Sequence, residues 1–173
     1  MRYPLPFPSV NEHRILIMKK TNAARLLDAK SIDYELAEYE VDENDLTAPT
    51  LAKKLGQDVE QIFKTLVLRG DKTSVFVCVV PGNAEVDLKK AAKVSGNKNC
   101  AMVLQKELLG LTGYIRGGCS PLGMKKPYPI YIHETCQLFD QIYISAGQRG
   151  LQLKLNPEDL IRMTDAEVCD VVE

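Results

Sequence analysis

The chain has 173 residues, of which 45% are hydrophobic, and it carries a formal net charge of −1. A chain of this length buries one sizeable core but not two, so a single domain is expected. The near-neutral charge excludes a protein that binds polyanions over its whole surface, and any nucleic-acid contact has to come from a local basic patch.

The N-terminal segment differs from the rest of the chain. Prolines interrupt residues 1–8, and residues 1–17 share no pattern with the remainder of the sequence. No apolar run approaches the roughly 20 residues of a membrane-spanning helix, and the proline-broken start is unlike a secretory signal. We therefore expect a cytoplasmic protein without membrane contact, with residues 1–17 as a poorly ordered extension and residues 18–173 as the single domain.

The first elements of the domain are a helix, a strand and a second helix. Thr21 is a suitable N-cap for a helix whose apolar residues share one face. Residues 32–41 are predicted to be extended, and residues 42–45 form an acidic connector. Apolar residues at helical spacing then end at Gly56, which suits the left-handed position after a helix.

The middle of the chain combines a hairpin with a lysine-rich helix. Residues 63–68 and 74–80 are rich in β-branched and aromatic side chains and are separated by a glycine turn, which is typical of a hairpin. Asp87 is a suitable N-cap for a helix that ends before Gly96. The residues of this helix that are expected to face the core are Leu88, Ala91 and Ala92.

The last part of the chain is richer in strands than in helices. The predicted elements are a strand at 100–104, a short helix at 106–109, strands near 130–133, 141–145 and 151–155, and a helix that begins at Asn156. Strands outnumber helices and do not alternate with them regularly, which disfavours a doubly wound parallel sheet. We predict an α+β domain, with a mixed, strongly curved sheet or partial barrel and helices around it.

The five cysteines are widely spaced and form no C-x-x-C pair, and the chain has two histidines. This pattern indicates neither a zinc site nor a disulfide framework, and we expect no metal and no cofactor. Cys78 lies in an apolar run and is expected in the core. Cys119 lies in a glycine-rich loop, but no histidine lies near it in sequence to activate it, so we do not expect it to be a nucleophile.

Lys64 is the most informative single residue. In a strand it shares a face with Ile62 and Leu66, whereas Phe63 and Thr65 take the other face, so the lysine stands in an apolar row. Burial of an ammonium group is costly unless the group is paired or opens into a pocket. The pattern alone leaves two interpretations, a lysine in a functional cleft or a lysine whose ammonium reaches solvent along an apolar surface.

A glycine loop spans residues 113–123 and has the sequence GYIRGGCSPLG. The adjacent Gly117 and Gly118 permit positive φ or a close approach to a ligand, and Pro121 stiffens the loop. The loop is either a tight turn between two elements or an array of backbone amides that faces a carbonyl or a phosphate. A second glycine turn, residues 147–150, is as an isolated motif more typical of a hairpin.

Together, Phe63-Lys64-Thr65-Leu66, the glycine loop and the second glycine turn resemble the YbaK family of aminoacyl-tRNA deacylases, which clear cysteine from proline-accepting tRNA. The resemblance extends from Thr21 to the C-terminus and implies the same mixed barrel. It implies catalytic roles for Lys64 and Gly118. The residues that it places at the substrate are Tyr39, Gly117, Cys119, Ser120, Pro121, Gly147 and Arg149.

Two features qualify the resemblance. Tyr39 lies in a segment of irregular alternation, so it is also compatible with an ordinary half-buried strand tyrosine. Gln152 stands where some relatives have an acidic residue, so a role that depends on an acid at that position is not carried over.

Basic residues supply candidate contacts to tRNA. A lysine-rich helix face is usually only solvated, but beside a site that receives an acceptor end it becomes a candidate for phosphate contact. The candidates are Lys89, Lys90, Lys93, Arg116, Lys125 and Lys126. No stretch of interleaved aromatic residues is present, so recognition is expected to rest mainly on phosphates.

The resemblance implies an enzyme that removes cysteine from mischarged Cys-tRNA(Pro), and also from Cys-tRNA(Cys), by attack of the substrate's own thiol on its ester. Its partners would be the acceptor end of the aminoacyl-tRNA and prolyl-tRNA synthetase. No histidine base, metal cluster or serine triad is apparent near the glycine loop, which suits a protein that supplies binding and electrostatics. The alternatives are editing of another small aminoacyl-tRNA, such as Ala-tRNA, and a non-catalytic module that binds tRNA or a synthetase.

Overall fold

A computed structural model describes residues 20–173, and the predicted extension at residues 1–17 lies outside them. The α-helices are α1 (Asn22–Ala29), α2 (Ala48–Leu55), α3 (Leu88–Val94), α4 (Gln105–Thr112) and α5 (Pro157–Thr164). The strands are β1 (Tyr34–Glu38), β2 (Phe63–Gly70), β3 (Ser74–Pro81), β4 (Cys100–Met102), β5 (Ile130–His133), β6 (Ile142–Gln148), β7 (Leu151–Leu155) and β8 (Glu167–Cys169). Short 3-10 turns cover Val59–Gln61 and Glu134–Leu138.

The strands form two sheets. One is antiparallel with the order β1-β7-β6, and the other is mixed with the order β4-β2-β3-β5-β8, in which β5 is parallel to both β3 and β8. An isolated parallel bridge between Ile62 and Tyr143 joins β6 to the start of β2. The predicted mixed α+β fold is confirmed. The sheets of the described residues are not closed into a barrel, so the strongly curved partial barrel stays a prediction.

The five-stranded sheet is covered on both faces. Its inner face, which includes Phe63 and Val77, packs with Ile144 and Leu153 of the other sheet in the largest hydrophobic cluster. Its outer face packs under α3, where Ala91 joins a second cluster. The other members of that cluster are Leu68, Phe76, Cys78, Val80 and Val171. Cys78 is completely buried there, as predicted.

Local capping signals explain most helix boundaries. The Thr21 side chain accepts a hydrogen bond from Ala24 N at 3.2 Å, and Asp87 caps α3 by accepting from Lys89 N and Lys90 N. Gly56 ends α2 with a φ of +64°, a conformation that glycine adopts without strain. These predicted starts and stops are confirmed.

Three expectations about the elements were wrong or incomplete. Leu88 was expected to face the core but is 43% exposed, because it occupies the first helical position and only the next turn, with Ala91, reaches the sheet. Helix α4 is longer than predicted and runs to Thr112. Strand β8 was not predicted, because a three-residue edge strand has too few residues to show an alternation.

None of the helices in residues 20–173 combines the length and the apolar character that a membrane span requires.

Candidate active site

A tight turn at residues 115–118 shapes the centre of the glycine loop. Gly118 N donates a hydrogen bond to Ile115 O at 3.0 Å, and Gly117, at the third position, has a φ of +82°. A positive φ at that position is typical of a type II turn and favours glycine. The turn therefore requires Gly117 whether or not the loop binds a ligand, and it commits the amide of Gly118 to a bond within the loop.

Gly118 brings the glycine loop against the second glycine turn. A Cβ at this position would lie 3.1 Å from Gln148 Cα and 3.2 Å from Arg149 N. Those neighbours are backbone atoms, which cannot rotate away as a side chain can. Gly147 also packs closely, because a Cβ there would lie 2.9 Å from the ring of Tyr114, and its φ of +102° favours glycine as well. The two glycine segments are thus held in direct contact.

The two residues after Gly118 are buried, and their amides have no acceptor in the described part of the chain. Ser120 is fully buried and Cys119 is 9% exposed. Within residues 20–173, neither Cys119 N nor Ser120 N donates a hydrogen bond. The Ser120 hydroxyl accepts one from Leu122 N at 3.2 Å, which fixes the backbone around the buried Pro121. Because buried backbone amides are seldom left without an acceptor, these two consecutive amides are candidates for binding a ligand oxygen.

The Cys119 thiol itself is in a poor state for catalysis. Burial raises its pKa to about 12, with a smaller opposing effect from a hydrogen bond with Thr112. At neutral pH the thiol is protonated, whereas the thiolate is the nucleophilic form. The side chain therefore packs in the core, and the useful group at this position is its amide.

A segment of residues 39–47, here called the strap, faces the glycine loop across a narrow cleft. The cleft is lined by Tyr39, Val41, Asp42, Asp45, Leu46, Thr47, Thr50, Leu51, Lys54 and Gly117. Its volume is about 40 Å³. Since a single water requires roughly 10–15 Å³ of such space, the cleft has room for a few waters but not for an aminoacyl-adenosine.

The strap ends in a polar network at the start of α2. Asp45 accepts hydrogen bonds from the hydroxyls of Thr47 and Thr50, both at 2.6 Å, and from Thr47 N at 3.1 Å. These bonds, of which the one from the Thr47 hydroxyl is the strongest influence, lower the pKa of Asp45 to about 2. The carboxylate is therefore ionised at neutral pH and holds the first turn of α2 to the strap.

Arg149 connects the strap with the glycine loop. Its Nε donates to Arg116 O at 2.9 Å, and its Nη1 donates to the Glu43 carboxylate at 2.6 Å. The backbone of the second glycine turn reaches the strap too, because Tyr39 N donates to Gly150 O at 3.0 Å. Of the predicted substrate residues, Tyr39, Gly117 and Arg149 are thus brought together around the cleft.

Lys64 lies on the apolar row that the sequence predicts, between Ile62 and Leu66, and its side chain is 28% exposed. Its Nζ donates to Gly82 O at 3.4 Å and lies 3.9 Å from the Glu85 carboxylate. Gly82 in turn lies against Ala48, in the first turn of α2, whose neighbours Thr47 and Leu51 line the cleft. Lys64 therefore lies next to the cleft but does not line it. The lysine that lines the cleft is Lys54.

Two polar residues share the sheet face of Lys64. The Ile62–Tyr143 bridge aligns β2 with β6, so the alternation of side chains puts Lys64 and Ser145 on the face that α2 covers. Gln152 pairs with Ser145 across β6 and β7 and points to the same side. Gln152 is only 3% exposed, and within the described residues its Oε1 has no hydrogen-bond partner. Such an orphaned buried atom needs a ligand or a water.

The predicted tRNA-contact residues do not form one patch. Lys89 and Lys93 are exposed on α3, on the outer face of the five-stranded sheet, but Lys90 donates to Asp170 at 2.8 Å and to Val172 O at 2.7 Å. Lys90 therefore holds the C-terminal residues. Arg116 is exposed beside the cleft, Lys125 lies against Gly113, and Lys126 lines a separate groove with Leu26 and Tyr128.

Sequence reasoning missed several residues of this site. Glu43 and Asp45 appeared only as members of an acidic connector, and the pairing of Glu43 with Arg149 spans 106 positions of sequence. Ser145 gave no signal apart from its place before the second glycine turn.

Within residues 20–173, no group of three or more His, Cys, Asp or Glu side chains is placed to hold a metal ion.

Comparison with known proteins gives consistent results. The sequence model of the family described as "Aminoacyl-tRNA editing domain" matches residues 42–163. A protein of Enterococcus faecalis, whose name carries the provisional assignment Cys-tRNA(Pro)/Cys-tRNA(Cys) deacylase EbsC, is 46% identical over 88% of this chain and 93% of its own length. A solved structure, described provisionally as a trans-editing enzyme for prolyl tRNA synthetase, is 27% identical with a TM-score of 0.76, over 88% of this chain and 98% of its own. The proline–tRNA ligase of Staphylococcus aureus is 26% identical over 84% of this chain but only 27% of its own length.

Proposed function

Because the chain belongs to the aminoacyl-tRNA editing domain family, we propose that it is a deacylase that removes cysteine from mischarged Cys-tRNA(Pro), and also from Cys-tRNA(Cys). It would act in trans on the acceptor end of the tRNA, in the cytoplasm. Prolyl-tRNA synthetase is the proposed protein partner, because this chain is similar to a segment of a proline–tRNA ligase and to a trans-editing protein.

The observation that carries this proposal is the pair of amides at Cys119 and Ser120, which have no acceptor among residues 20–173. Both belong to buried residues of a loop that the turn at Gly117 and the contact at Gly118 hold in place. Preorganised backbone amides stabilise the negative charge that develops on a carbonyl oxygen during acyl transfer. We place the ester carbonyl of the aminoacyl group at these amides.

The attacking group in this mechanism belongs to the substrate. The cysteinyl thiol loses its proton and attacks the ester carbonyl, the C–S bond forms as the C–O bond to the ribose breaks, and the ribose oxygen takes up a proton. The products are the free tRNA end and a cysteine thiolactone, which water then opens. The protein needs only to orient the thiol and stabilise the oxyanion, and intramolecular attack of this kind gains greatly from correct orientation.

Lys64 and Gly118 retain their proposed catalytic assignment, with distinct contributions. The ammonium of Lys64 would favour the developing negative charge or contact a phosphate of the tRNA end. Gly118 would act through the loop geometry, since its own amide is bonded to Ile115 O. Tyr39, Gly117 and Arg149 would border the bound aminoacyl-adenosine, and Ser120, Pro121 and Gly147 would hold the loop conformation.

The proposal is tested by single-turnover deacylation of Cys-tRNA(Pro), with Ser-tRNA(Pro) and Ala-tRNA(Pro) as matched substrates, each with and without prolyl-tRNA synthetase. A thiol-assisted enzyme cleaves the cysteinyl ester and spares the seryl ester, although the two differ by one atom. Faster cleavage of Ala-tRNA would instead identify an enzyme for small amino acids. Binding of tRNA without cleavage of any of the three would identify a non-catalytic module.

Cys119→Ala is expected to keep most of the deacylation rate, since the amides of residues 119 and 120 remain and the buried thiol is protonated. The measurement is the single-turnover rate at saturating protein. A loss of roughly 10⁴-fold or more, the size typical of a deleted nucleophile, would overturn the mechanism.

The double substitution of Lys89 and Lys93 by glutamate is expected to weaken tRNA binding and to flatten its dependence on salt, because each phosphate contact releases counterions. Both side chains are exposed on α3. The connector that precedes this helix carries Glu85, whose carboxylate lies near Lys64, so α3 follows directly on the proposed site. Lys90 is left unchanged because it holds the C-terminal residues. An affinity and a salt slope equal to those of the wild type would assign these lysines to an ordinary solvated face.

A further inference from the structure

We propose that Arg149 is a phosphodiester-binding group whose site is occupied, in the free protein, by the carboxylate of Glu43. This inference rests on the proposed function, since the phosphodiester would come from the acceptor end of an RNA. Glu43 would then be a competitor that the incoming phosphate displaces.

The contacts of Arg149 leave one end of its guanidinium for exchange. Nε is fixed on Arg116 O at 2.9 Å, inside the glycine loop, whereas Nη1 is bonded to Glu43 at 2.6 Å. Guanidinium groups bind carboxylates and phosphates with the same planar geometry. The Arg149 side chain is 25% exposed and therefore held mainly by the protein, but Glu43 is 70% exposed. Glu43, rather than Arg149, is thus the partner that can move away.

The strength of the pair permits displacement. An ion pair with a largely solvated partner is worth only about 1.4- to 5-fold in an equilibrium constant, so a phosphate with its own contacts to the protein would replace the carboxylate easily. The strap acids that line the cleft, Asp42 and Asp45, are engaged elsewhere. Asp45 holds the hydroxyls of Thr47 and Thr50, and Asp42 accepts from Asn44 N at 2.9 Å.

The pair lies beside the cleft. Glu43 lies in the middle of the strap, and Arg149 reaches it from the side of the glycine loop, where a Cβ at Gly117 would lie 3.3 Å from Arg149 Nε. Gly117 lines the cleft, so a phosphodiester on Arg149 would lie next to the cleft. The strap keeps its backbone bond from Tyr39 N to Gly150 O at 3.0 Å, so exchange of Glu43 for a phosphate changes the anion on Arg149 and leaves the strap in place.

The test compares Glu43→Gln with Glu40→Gln, which removes the same charge from the same strap. Glu40 is a matched control because its contact to Lys54 is made by its backbone carbonyl, at 2.6 Å. The probe is a short single-stranded RNA ending in CCA, without an amino acid, at low ionic strength. Glu43→Gln is expected to bind it roughly 2- to 5-fold more tightly than the wild type, and Glu40→Gln to change binding by less than about 2-fold.

Three further measurements distinguish this inference from other effects of removing Glu43. In an Arg149→Gln background, the added Glu43→Gln substitution is expected to change RNA binding no more than Glu40→Gln does, since Glu43 and Arg149 act through one contact. Inorganic phosphate at millimolar concentration is expected to leave RNA binding unchanged, which separates an RNA phosphodiester from free phosphate. The KM for cysteine ethyl ester, which has no phosphate, is expected to be the same in Glu43→Gln and Glu40→Gln.

The inference is overturned if Glu43→Gln binds RNA no better than Glu40→Gln, or if its effect persists without Arg149. It is also overturned if free phosphate competes fully with the RNA, or if the KM for the neutral ester falls only in Glu43→Gln, which would make Glu43 a steric lid. Because the RNA probe carries no amino acid, the binding results are independent of deacylation. Failure of the proposed function leaves them intact, and their failure leaves the deacylase assignment intact.

Discussion

Replacement of Lys64 by alanine is expected to remove deacylation while the protein stays folded. The Lys64 side chain is 28% exposed, and within residues 20–173 its ammonium has only a long hydrogen bond to Gly82 O at 3.4 Å and a distant carboxylate neighbour, Glu85, at 3.9 Å. These contacts add little to stability, whereas in the proposed mechanism the positive charge of Lys64 acts on the ester and adds to the rate. We expect a loss of at least about 10²-fold in the single-turnover rate on Cys-tRNA(Pro). The thermal midpoint should hold or rise, since the apolar row of Ile62 and Leu66 loses a charge.

Two variants serve as controls for Lys64→Ala. Lys64→Arg keeps the charge but is expected to be poorly active, because a planar guanidinium does not replace a compact ammonium in a small space. Glu85→Gln removes the neighbouring carboxylate and keeps the ammonium, and it is expected to retain most of the rate. A near-wild-type rate in Lys64→Ala would refute the catalytic assignment. If the loss of rate in Lys64→Ala were matched by an equal loss of folded protein, Lys64 would have a structural role instead.

Gly118→Ala is expected to give the second large effect, by moving the loop rather than by deleting a functional group. The new methyl group would lie 3.1–3.2 Å from three backbone atoms of Gln148 and Arg149, so the glycine loop and the second glycine turn must separate by a few tenths of an ångström. The amides of Cys119 and Ser120 move with the loop. Loss of one oxyanion donor costs about 10²–10³-fold in kcat, and we expect a decrease of roughly 10²-fold here.

Gly110→Ala is the matched control for Gly118→Ala. Gly110 lies within α4, and a Cβ there would have no atom within 4 Å. The substitution is therefore expected to leave the rate unchanged and to stabilise the helix by up to about 1 kcal/mol. The comparison requires single-turnover rates and thermal unfolding of both variants. Equal rates in the two alanine variants would show that the close approach at Gly118 has no part in catalysis.

The sequence predicted those parts of the fold that depend on neighbouring residues. The cap at Thr21, the stop at Gly56 and the cap at Asp87 are encoded within one turn of helix, and the structure has all three. The hairpin of β2 and β3 likewise results from two apolar runs with a short turn between them. The prediction that Leu88 faces the core was wrong, because periodicity indicates which side of a helix is apolar but not how far along the helix the sheet extends.

The site was predictable only in part for the same reason. Lys64 and the glycine loop were visible because an unusual residue interrupts an apolar row and because adjacent glycines imply a special backbone. Glu43 was not visible, because its partner is distant in sequence and an acidic connector is ordinarily just solvated. The orphaned Oε1 of Gln152 was also beyond prediction, since burial at a given β-strand position depends on which helix covers the sheet.

The C-terminal residues are anchored next to the lysine that we place in catalysis. Glu173 N donates to Glu85 O at 3.1 Å, Val172 pairs with Val86, and the carboxylate of Glu85 is the one near Lys64. A label at these residues therefore has an experimental use as well as a hazard. A small fluorophore attached at Glu173 would report the arrival of an RNA end, whereas a bulky group at the same point would crowd Lys64 and imitate a catalytic defect.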